Sequence, residues 1–323
     1  MLLDPTILWM VLGAIALDAW LGEPPWLWSR LSHPVVIIGN LIDRLDKRFN
    51  TARFSQTRRK LNGILTLLTL ITISLVIGGG LHALFDDGLI GIILGSMAGA
   101  TLIAQRSLYD HVKAVADGLD RGLSEGRHAV SMIVGRNPDK LDKAGVSRAA
   151  IESCAENFSD GVTAPLFWFA LLGLPGLILY KAVNTADSMI GHRSDRYRKF
   201  GWASARFDDL LNYVPSRLTG LLFTLLAPLH GKSPLTVLSV MLRDAPRHKS
   251  PSAGWPESSM AALLGLALAG PRQYGSELVD DPYMNDGGKR DATALDIRRS
   301  LKILVQTACL ITGLVGSLLL LTA

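Results

Sequence analysis

The sequence predicts an all-α, polytopic integral membrane protein with about four to six spanning or re-entrant apolar segments and helical cytoplasmic loops. Hydrophobic residues make up 49% of the 323-residue chain, and mean hydropathy is positive at +0.28. Several apolar runs reach the ~18–20 residues that a helix needs to cross a bilayer. Neither the alternation of a half-buried strand nor an internal repeat is evident.

In chain order, Ile7–Leu21 is a short apolar segment interrupted by Asp18. The preceding Met1-Leu-Leu-Asp-Pro lacks the basic region of a cleavable signal, so this segment is expected to stay. Arg30–Lys60 gathers Arg44, Lys47, Arg48, Arg53, Arg58, Arg59 and Lys60, which marks a cytoplasmic loop. Leu61–Phe85 and Gly88–Ala104 follow as spans, with Asp86-Asp87-Gly88 as the outer turn between them. A polar helical insert at about 105–162 carries Leu108, Val112, Val115 and Leu119 at helical spacing. Within it, Asn137-Pro138-Asp139 is a turn that opens a further helix. Thr163–Val183 is long enough to cross but is broken by Pro175. Leu211–Leu229 is likewise broken, by Pro215 and Pro228. The polar stretch at about 230–302 is rich in Pro, Gly and Ser, with one short apolar helix at Ser259–Gly270. Ile303–Thr322 is the last span. The organisation expected is a single membrane-embedded domain over 1–323.

The basic residues pose a topological conflict. If Thr163–Val183 crossed completely, Arg193, Arg196, Arg198, Lys199 and Arg206 would fall on the outer side, against the positive-inside rule. Leu172-Gly173-Leu174-Pro175-Gly176 offers a way out by dividing the segment into halves of about ten residues, or ~15 Å of helix each. A re-entrant hairpin would return both flanks to the cytoplasmic side, and such broken backbone is tolerated where protein or a wet cavity surrounds it. A kinked span is the alternative; the hairpin is favoured.

Acids and amides crowd both flanks of this segment, and carboxylates at a hydrocarbon boundary are costly unless they serve chemistry or ion handling. On a helix, Arg148, Glu152, Glu156 and Asp160 fall on one stripe at successive i+4 steps. Three like charges on a stripe repel unless a cation lies between them. With Asn157, they suit Mg²⁺, which takes carboxylate oxygens and keeps several waters. A solvated face with Arg148 as counter-ion is the competing reading. On the second flank Lys181, Asn184, Asp187 or Ser188, and Gly191 share a face. Asn184 and Asp187 can contact a metal or a metal-bound phosphate, and Lys181 and Arg193, with His192 beside them, can meet phosphate oxygens. A helix end with basic anchors is the bland alternative.

A third group, Asp208, Asp209 and Asn212, stands at the mouth of the next apolar segment, with Arg217 inside it. An unpaired guanidinium there is expensive, so Asp209 or Asn212 is the expected partner. His33 is an interfacial anchor or a ligand contact, and Arg136 could face an anion from the Gly135–Pro138 turn. Catalytic and metal-holding roles are assigned to Glu152, Glu156, Asp160 and Asp187. Binding roles go to Asn157, Lys181, Asn184, Ser188, His192, Arg193, Arg136, Asp208, Asp209, Asn212, Arg217 and His33.

Other classes fit poorly. The net charge of +5 is spread over loops that also hold acids, so nucleic acid is not an expected partner. The two cysteines, Cys154 and Cys309, suggest neither a disulfide nor a CxxC metal site. GxxxxGK[ST], dinucleotide, HExxH and GxSxG motifs are absent.

The runs ESCAENFSDGVTAPLFWFALLGLPG and YKAVNTADSMIGHRSDRYRKFGWASARFDDLLNYVPSRLTG resemble the membrane-bound adenosylcobinamide-phosphate synthase family of cobalamin biosynthesis. DAWLGEPPWLWSRLSHPVVIIGNLI, MIVGRNPDKLD and RDAPRHKSPSAGWPESSMAALLG extend the resemblance over nearly the whole chain. Ser252 departs from it, standing where the family pattern has Asn. The resemblance implies an ATP-dependent acid–amine ligase of the bacterial inner membrane with its site on the cytoplasmic side. The propionate of adenosylcobyric acid would be joined to (R)-1-amino-2-propanol or its O-phosphate. Mg²⁺ would be the cofactor and ATP the cosubstrate. The bilayer, and other late enzymes of the pathway, would be the surroundings.

Two other readings compete. In a membrane prenyl- or phosphoalcohol transferase, acids at helix ends hold Mg²⁺-diphosphate. Asp160-Gly161-Val-Thr-Ala164 echoes such a motif, but Pro165 replaces its Arg and the later Asp spacing is missing. A corrinoid transporter would place charges along a path, whereas here they cluster at membrane entrances.

Overall fold

The structure, a computed structural model, describes residues 4–85, 88–135, 137–274, 277–279 and 281–322. Arg136 and the Asp86-Asp87 part of the expected outer turn lie outside these residues. The protein is an all-α polytopic membrane protein. Its helices are α1 (Pro5–Leu21), α2 (Pro25–Trp28), α3 (Pro34–Phe49), α4 (Gln56–Leu84), α5 (Leu89–Ala100), α6 (Gln105–Arg121), α7 (Leu123–Ser131), α8 (Lys143–Phe158), α9 (Ala164–Ile190), α10 (Trp202–Leu211), α11 (Tyr213–Leu225), α12 (Pro234–Asp244), α13 (Gly254–Leu264) and α14 (Ala294–Thr322). Among the described residues, four helical stretches are long and apolar enough to cross a membrane: Gln56–Leu84, Leu89–Arg121, Lys143–Ile190 and Ala294–Thr322. The apolar α1 is shorter.

Local chemistry sets several boundaries. Asp4 caps α1 with Pro5 behind it, Ser55 caps α4, and Asp142 accepts from the amide of Gly145 to start α8. Before α8, Asn137 accepts from the amide of Asp139 at 2.9 Å, which closes the expected turn. Two small antiparallel ladders, Leu268–Ala269 with Tyr283–Met284 and Arg272–Tyr274 with Glu277–Val279, depart from the expected absence of strands. Pairs of two or three residues are too short to leave a periodic signature.

The chain divides into two compact units, each gathered from separated stretches. The first comprises residues 1–104, 164–212 and 314–323; the second comprises 105–163 and 213–313. In the first unit α1 packs on α5 through small residues. Gly95 faces Met10, and Gly99 faces Ala14 and Phe169. Gly91, Gly95 and Gly99 thus form a stripe that lets backbones approach where the hydrophobic effect gives no drive.

The same unit settles the form of α9. Gly173 has φ 67 and ψ −156, outside helical space, and Pro175 follows it. A Cβ placed on Gly176 would lie 2.5 Å from the carbonyl oxygen of Trp168, eight residues back, so the chain reverses tightly there. Ala164 and Val183, the two ends of the segment, join Leu67, Tyr180, Ala203 and Leu211 in one buried cluster. At the apex, Pro175 abuts Gly78 of α4 at 2.5 Å from a would-be Cβ. From Leu67 to Gly78 α4 rises eleven residues, about 16 Å, which matches the length of each arm. The segment is a hairpin of two half-length arms, the one of the two sequence readings that the positive-inside argument favours over a kinked span.

Beyond the hairpin, Arg196 pairs with Asp46 at 2.5 Å, and Arg59, from the start of α4, donates to the Arg196 carbonyl. The second basic stretch therefore lies at the same end of α4 as the first. In a chain whose Cys154 and Cys309 are replaced by Ser, single cysteines at Ser55 and Ser194 should react with an impermeant maleimide from the same face of sealed vesicles. Labelling from opposite faces would reject the hairpin.

Candidate functional site

In the first unit the returning arm of the hairpin carries Lys181, Asn184 and Asp187, of which Asn184 and Asp187 stand beside Asp208 of α10. Asp208 is buried at 5% exposure and accepts from Asn184 Nδ2 at 3.3 Å and from Asn212 Nδ2 at 2.9 Å. Asn212 Oδ1 accepts in turn from the Tyr180 hydroxyl at 2.9 Å, with both residues fully buried. This chain of four polar side chains is cut out of an apolar cluster, where an unsatisfied group would cost ~1–3 kcal/mol. Tyr180 was not among the sequence-derived site residues. Its one signal was a phenol in an otherwise apolar run beside Lys181.

Burial pushes the Asp208 carboxyl up to about 7, with the negative charge of Asp187 adding to the effect and the amides of Asn212 and Asn184 opposing it. Asp209 is also shifted upward by burial, against the pull of Arg206 and Arg193. Its ion pair to Arg206 spans 3.4 Å. Arg193 and His192 are exposed just past the helix end, as is Ser188 within it. His33 caps α3, with Nδ1 accepting from Val35 N at 3.2 Å. Its ring meets Trp28 edge-on at 4.4 Å between centroids. Half-burial lowers its pKa; Glu23 opposes this, and Lys181 reinforces it, placing His33 within electrostatic reach of the α9 face.

Gly191 has a specific duty here. A Cβ at this position would overlap Asp187 Oδ1 and approach the Asp187 carbonyl oxygen at 2.6 Å. The bare backbone is what lets the carboxylate fold over the helix end.

In the second unit the expected stripe is only partly realised. Arg148, Glu152 and Glu156 lie on α8, but Ser159–Thr163 forms a π-turn, which rotates Asp160 off the i+4 line. Pro165 supplies the reason. It has no N–H for the carbonyl of residue 161, and its ring would crowd that carbonyl in a regular α-turn. Glu152 is buried and accepts from the amide of Ala269 at 2.8 Å. Ala269 sits at φ 59, so this contact steadies a left-handed residue. Glu156 and Asp160 are half-buried. Exposed Asn157 donates to Ser153 O and Oγ, each at 2.9 Å. Arg148 donates to the carbonyl of Arg290.

Arg217 is held differently from expectation. Its Nη1 donates to the Tyr213 carbonyl at 2.6 Å, and its guanidinium lies over the Tyr213 and Trp255 rings. Asp209 and Asn212 are already engaged with Arg206 and Asp208. Aromatic faces offset part of the cost of a partly desolvated guanidinium but supply no counter-charge, and rings distant in sequence are not revealed by spacing. A cavity of about 440 Å³ between α6 and α7, lined by His111, Arg121, Glu125 and His128, contains no sequence-derived site residue. Among the described residues no three His, Cys, Asp or Glu side chains gather as a metal-ligand set.

The fold and these groups define a class: a polytopic membrane protein with acid–amide clusters at the ends of its apolar helices. A family model described as CobD/Cbib protein matches residues 11–304. Curated relatives described as "Cobalamin biosynthesis protein CobD" include one from Brucella suis biovar 1 (strain 1330), 52% identical over 306 residues and 94% of each chain. Another, from Rhizobium meliloti (strain 1021), is 48% identical over 310 residues and 95% of each chain. A third, from Rhodobacter capsulatus, is 47% identical over 308 residues, covering 95% of this chain and 96% of the relative. No solved structure matches the chain. The chain belongs to the CobD/Cbib family.

Two outcomes follow from the first unit. Because the Asp208 pKa is raised on folding, the stability it permits is complete below about pH 4 and is lost as pH rises through about 7. Asp208→Asn should therefore gain melting temperature relative to the parent as pH goes from 5 to 8 in detergent with chelator present. A constant difference would contradict the shift. Gly191→Ala should displace the Asp187 carboxylate and the Asp187 carbonyl at the end of the helix, lowering activity at least tenfold while the protein still elutes as a folded species, since the strain is confined to one helix end.

Proposed function

We propose that the chain acts in cobalamin biosynthesis as a membrane-embedded, ATP-dependent ligase. It would join the propionate of adenosylcobyric acid to (R)-1-amino-2-propanol or its O-phosphate. Family membership supports the pathway, and the observation that supports the chemistry is the cluster of Asp187, Asn184, Asp208 and Asp209 beside Lys181 and Arg193. A free carboxylate does not react with an amine. It must first be made electrophilic, most simply as an acyl phosphate, from which phosphate leaves as the C–N bond forms.

The donor set suits Mg²⁺. All the side chains are oxygen or amide donors, and a cation that keeps several waters and binds phosphate needs only one or two carboxylates. We assign Asp187 to contact the metal and Lys181 and Arg193 to triphosphate oxygens. Bound there, the metal would neutralise charge on the transferring phosphoryl group. Asn184 and Asn212 hold Asp208 as a fixed acceptor, and Ser188, His192, Asp209 and His33 border this face. In the second unit Glu156, Asp160 and Asn157 are assigned to metal or amine, with one acid taking the proton that the amine releases. Glu152 is assigned to orient that region through Ala269. By the basic-loop argument the site faces the cytoplasm of a bacterial inner membrane, where other late enzymes of the pathway could receive the product.

Membranes containing the parent chain should form amide from cobyric acid only with ATP. Glu156→Ala or Asp187→Ala should lose activity at least a hundredfold while still inserting. Near-normal turnover in either variant rejects the assigned site. Corrinoid uptake without amide formation rejects the ligase.

A further inference from the structure

The stretch RDAPRHKSPSAGWPESSMAALLG carries part of the family likeness, yet the proposed reaction gives it no task. In the second unit it builds a setting for one cation. Arg217, on α11, lies 3.6 Å from the ring centroid of Tyr213 and 4.2 Å from that of Trp255. Rings so close occupy the flat surface of a guanidinium and leave its N–H edge to meet a ligand. Of five donors, Nη1 is bonded to the Tyr213 carbonyl. Among the described residues Arg217 forms no ion pair, although its side chain is partly buried. A cation that is partly withdrawn from water and has no anion beside it keeps an unmet demand for one.

The surroundings fix both rings. Tyr213 stands one turn before Arg217. A Cβ on Gly220 would lie 3.1 Å from the Trp255 carbonyl oxygen and 3.0 Å from Ser259 Oγ. That glycine lets α11 and α13 close far enough for the indole to reach Arg217. The indole N–H donates to the Pro251 carbonyl at 3.1 Å, fixing the ring. The loop before it is pinned where His248 Nδ1 accepts from Ser250 N at 3.1 Å and Nε2 lies 3.6 Å from buried Glu257. Ser250 and Ser252 hydroxyls join at 3.1 Å, so the serine that replaces the family's Asn is itself part of the pin.

We propose that Arg217, backed by Tyr213 and Trp255, is a rigid oxyanion clamp that takes a group with two neighbouring oxygens, a carboxylate or a phosphoryl group. Fork-shaped donation from arginine favours such groups over a single-oxygen ligand. The clamp goes beyond the proposed reaction and can be tested without turnover.

Full-length protein in detergent micelles, at constant ionic strength, is titrated with sodium pyrophosphate and separately with sodium propionate while tryptophan emission is followed. A saturable change with at least one probe is expected, and its loss in Trp255→Phe identifies the reporter. Affinity should fall at least tenfold in Arg217→Lys, which keeps charge but not the fork, and disappear in Arg217→Gln. Response to pyrophosphate alone assigns a phosphoryl ligand, and response to propionate alone a carboxylate. Should Arg217→Gln fail to elute as a folded species, Arg217→Lys and Tyr213→Leu carry the test, the latter with a several-fold loss. No saturable response, a response persisting in Trp255→Phe, or one unchanged in Arg217→Lys overturns the clamp. Binding retained in Asp187→Ala, where turnover is lost, separates this result from the fate of the ligase proposal.

Discussion

The first unit depends on one break in the backbone. At Gly173 the chain takes φ 67 and ψ −156, a region of backbone space essentially confined to glycine. Without that turn, α9 would run straight and carry its basic exit to the opposite membrane face. With it, Ala164 and Val183 meet beside Leu67, and the arms share the buried face of α4. Non-helical backbone is admissible there because Gly78, Ile7 and His82 surround it with protein.

The hairpin also explains why polar side chains can be buried beside it. Tyr180 and Asn184 lie on the returning arm, and α10 with the residue after it brings Asp208 and Asn212 against them. Each amide in this network both orients and compensates the carboxylate, so the cost of burial appears as a raised Asp208 pKa instead of an orphaned charge. A carboxylate poised in this way can take up a proton or meet a cation with little rearrangement. The second unit handles its charges by other means, with a π-turn at Pro165, a backbone amide for Glu152 and aromatic rings for Arg217.

Sequence reading picks out the charged groups more securely than it places them. The i+4 stripe from Arg148 held through Glu156 and failed at Asp160, because a proline five residues later altered the turn that spacing assumed regular. A carboxylate partner for Arg217 was the reasonable expectation from charge alone, since rings distant in sequence are invisible to a local pattern. Tyr180 and Trp255 carry no local signal of their polar roles, which depend on partners supplied by the fold.

What the sequence by itself determined was the class of protein and the positions of the charged groups. Apolar length, Lys and Arg distribution and the Gly-Leu-Pro-Gly break are local quantities, and the bilayer turns each of them directly into topology. Which groups are buried, which carboxylate is raised in pKa and which cation rests on rings belong to tertiary structure. Those properties arise from desolvation and contact between segments far apart in the chain, as between Asn184 and Asp208 or Arg217 and Trp255. No periodicity records such pairings, because a single side chain has no polarity of environment until the neighbours that exclude water are in place.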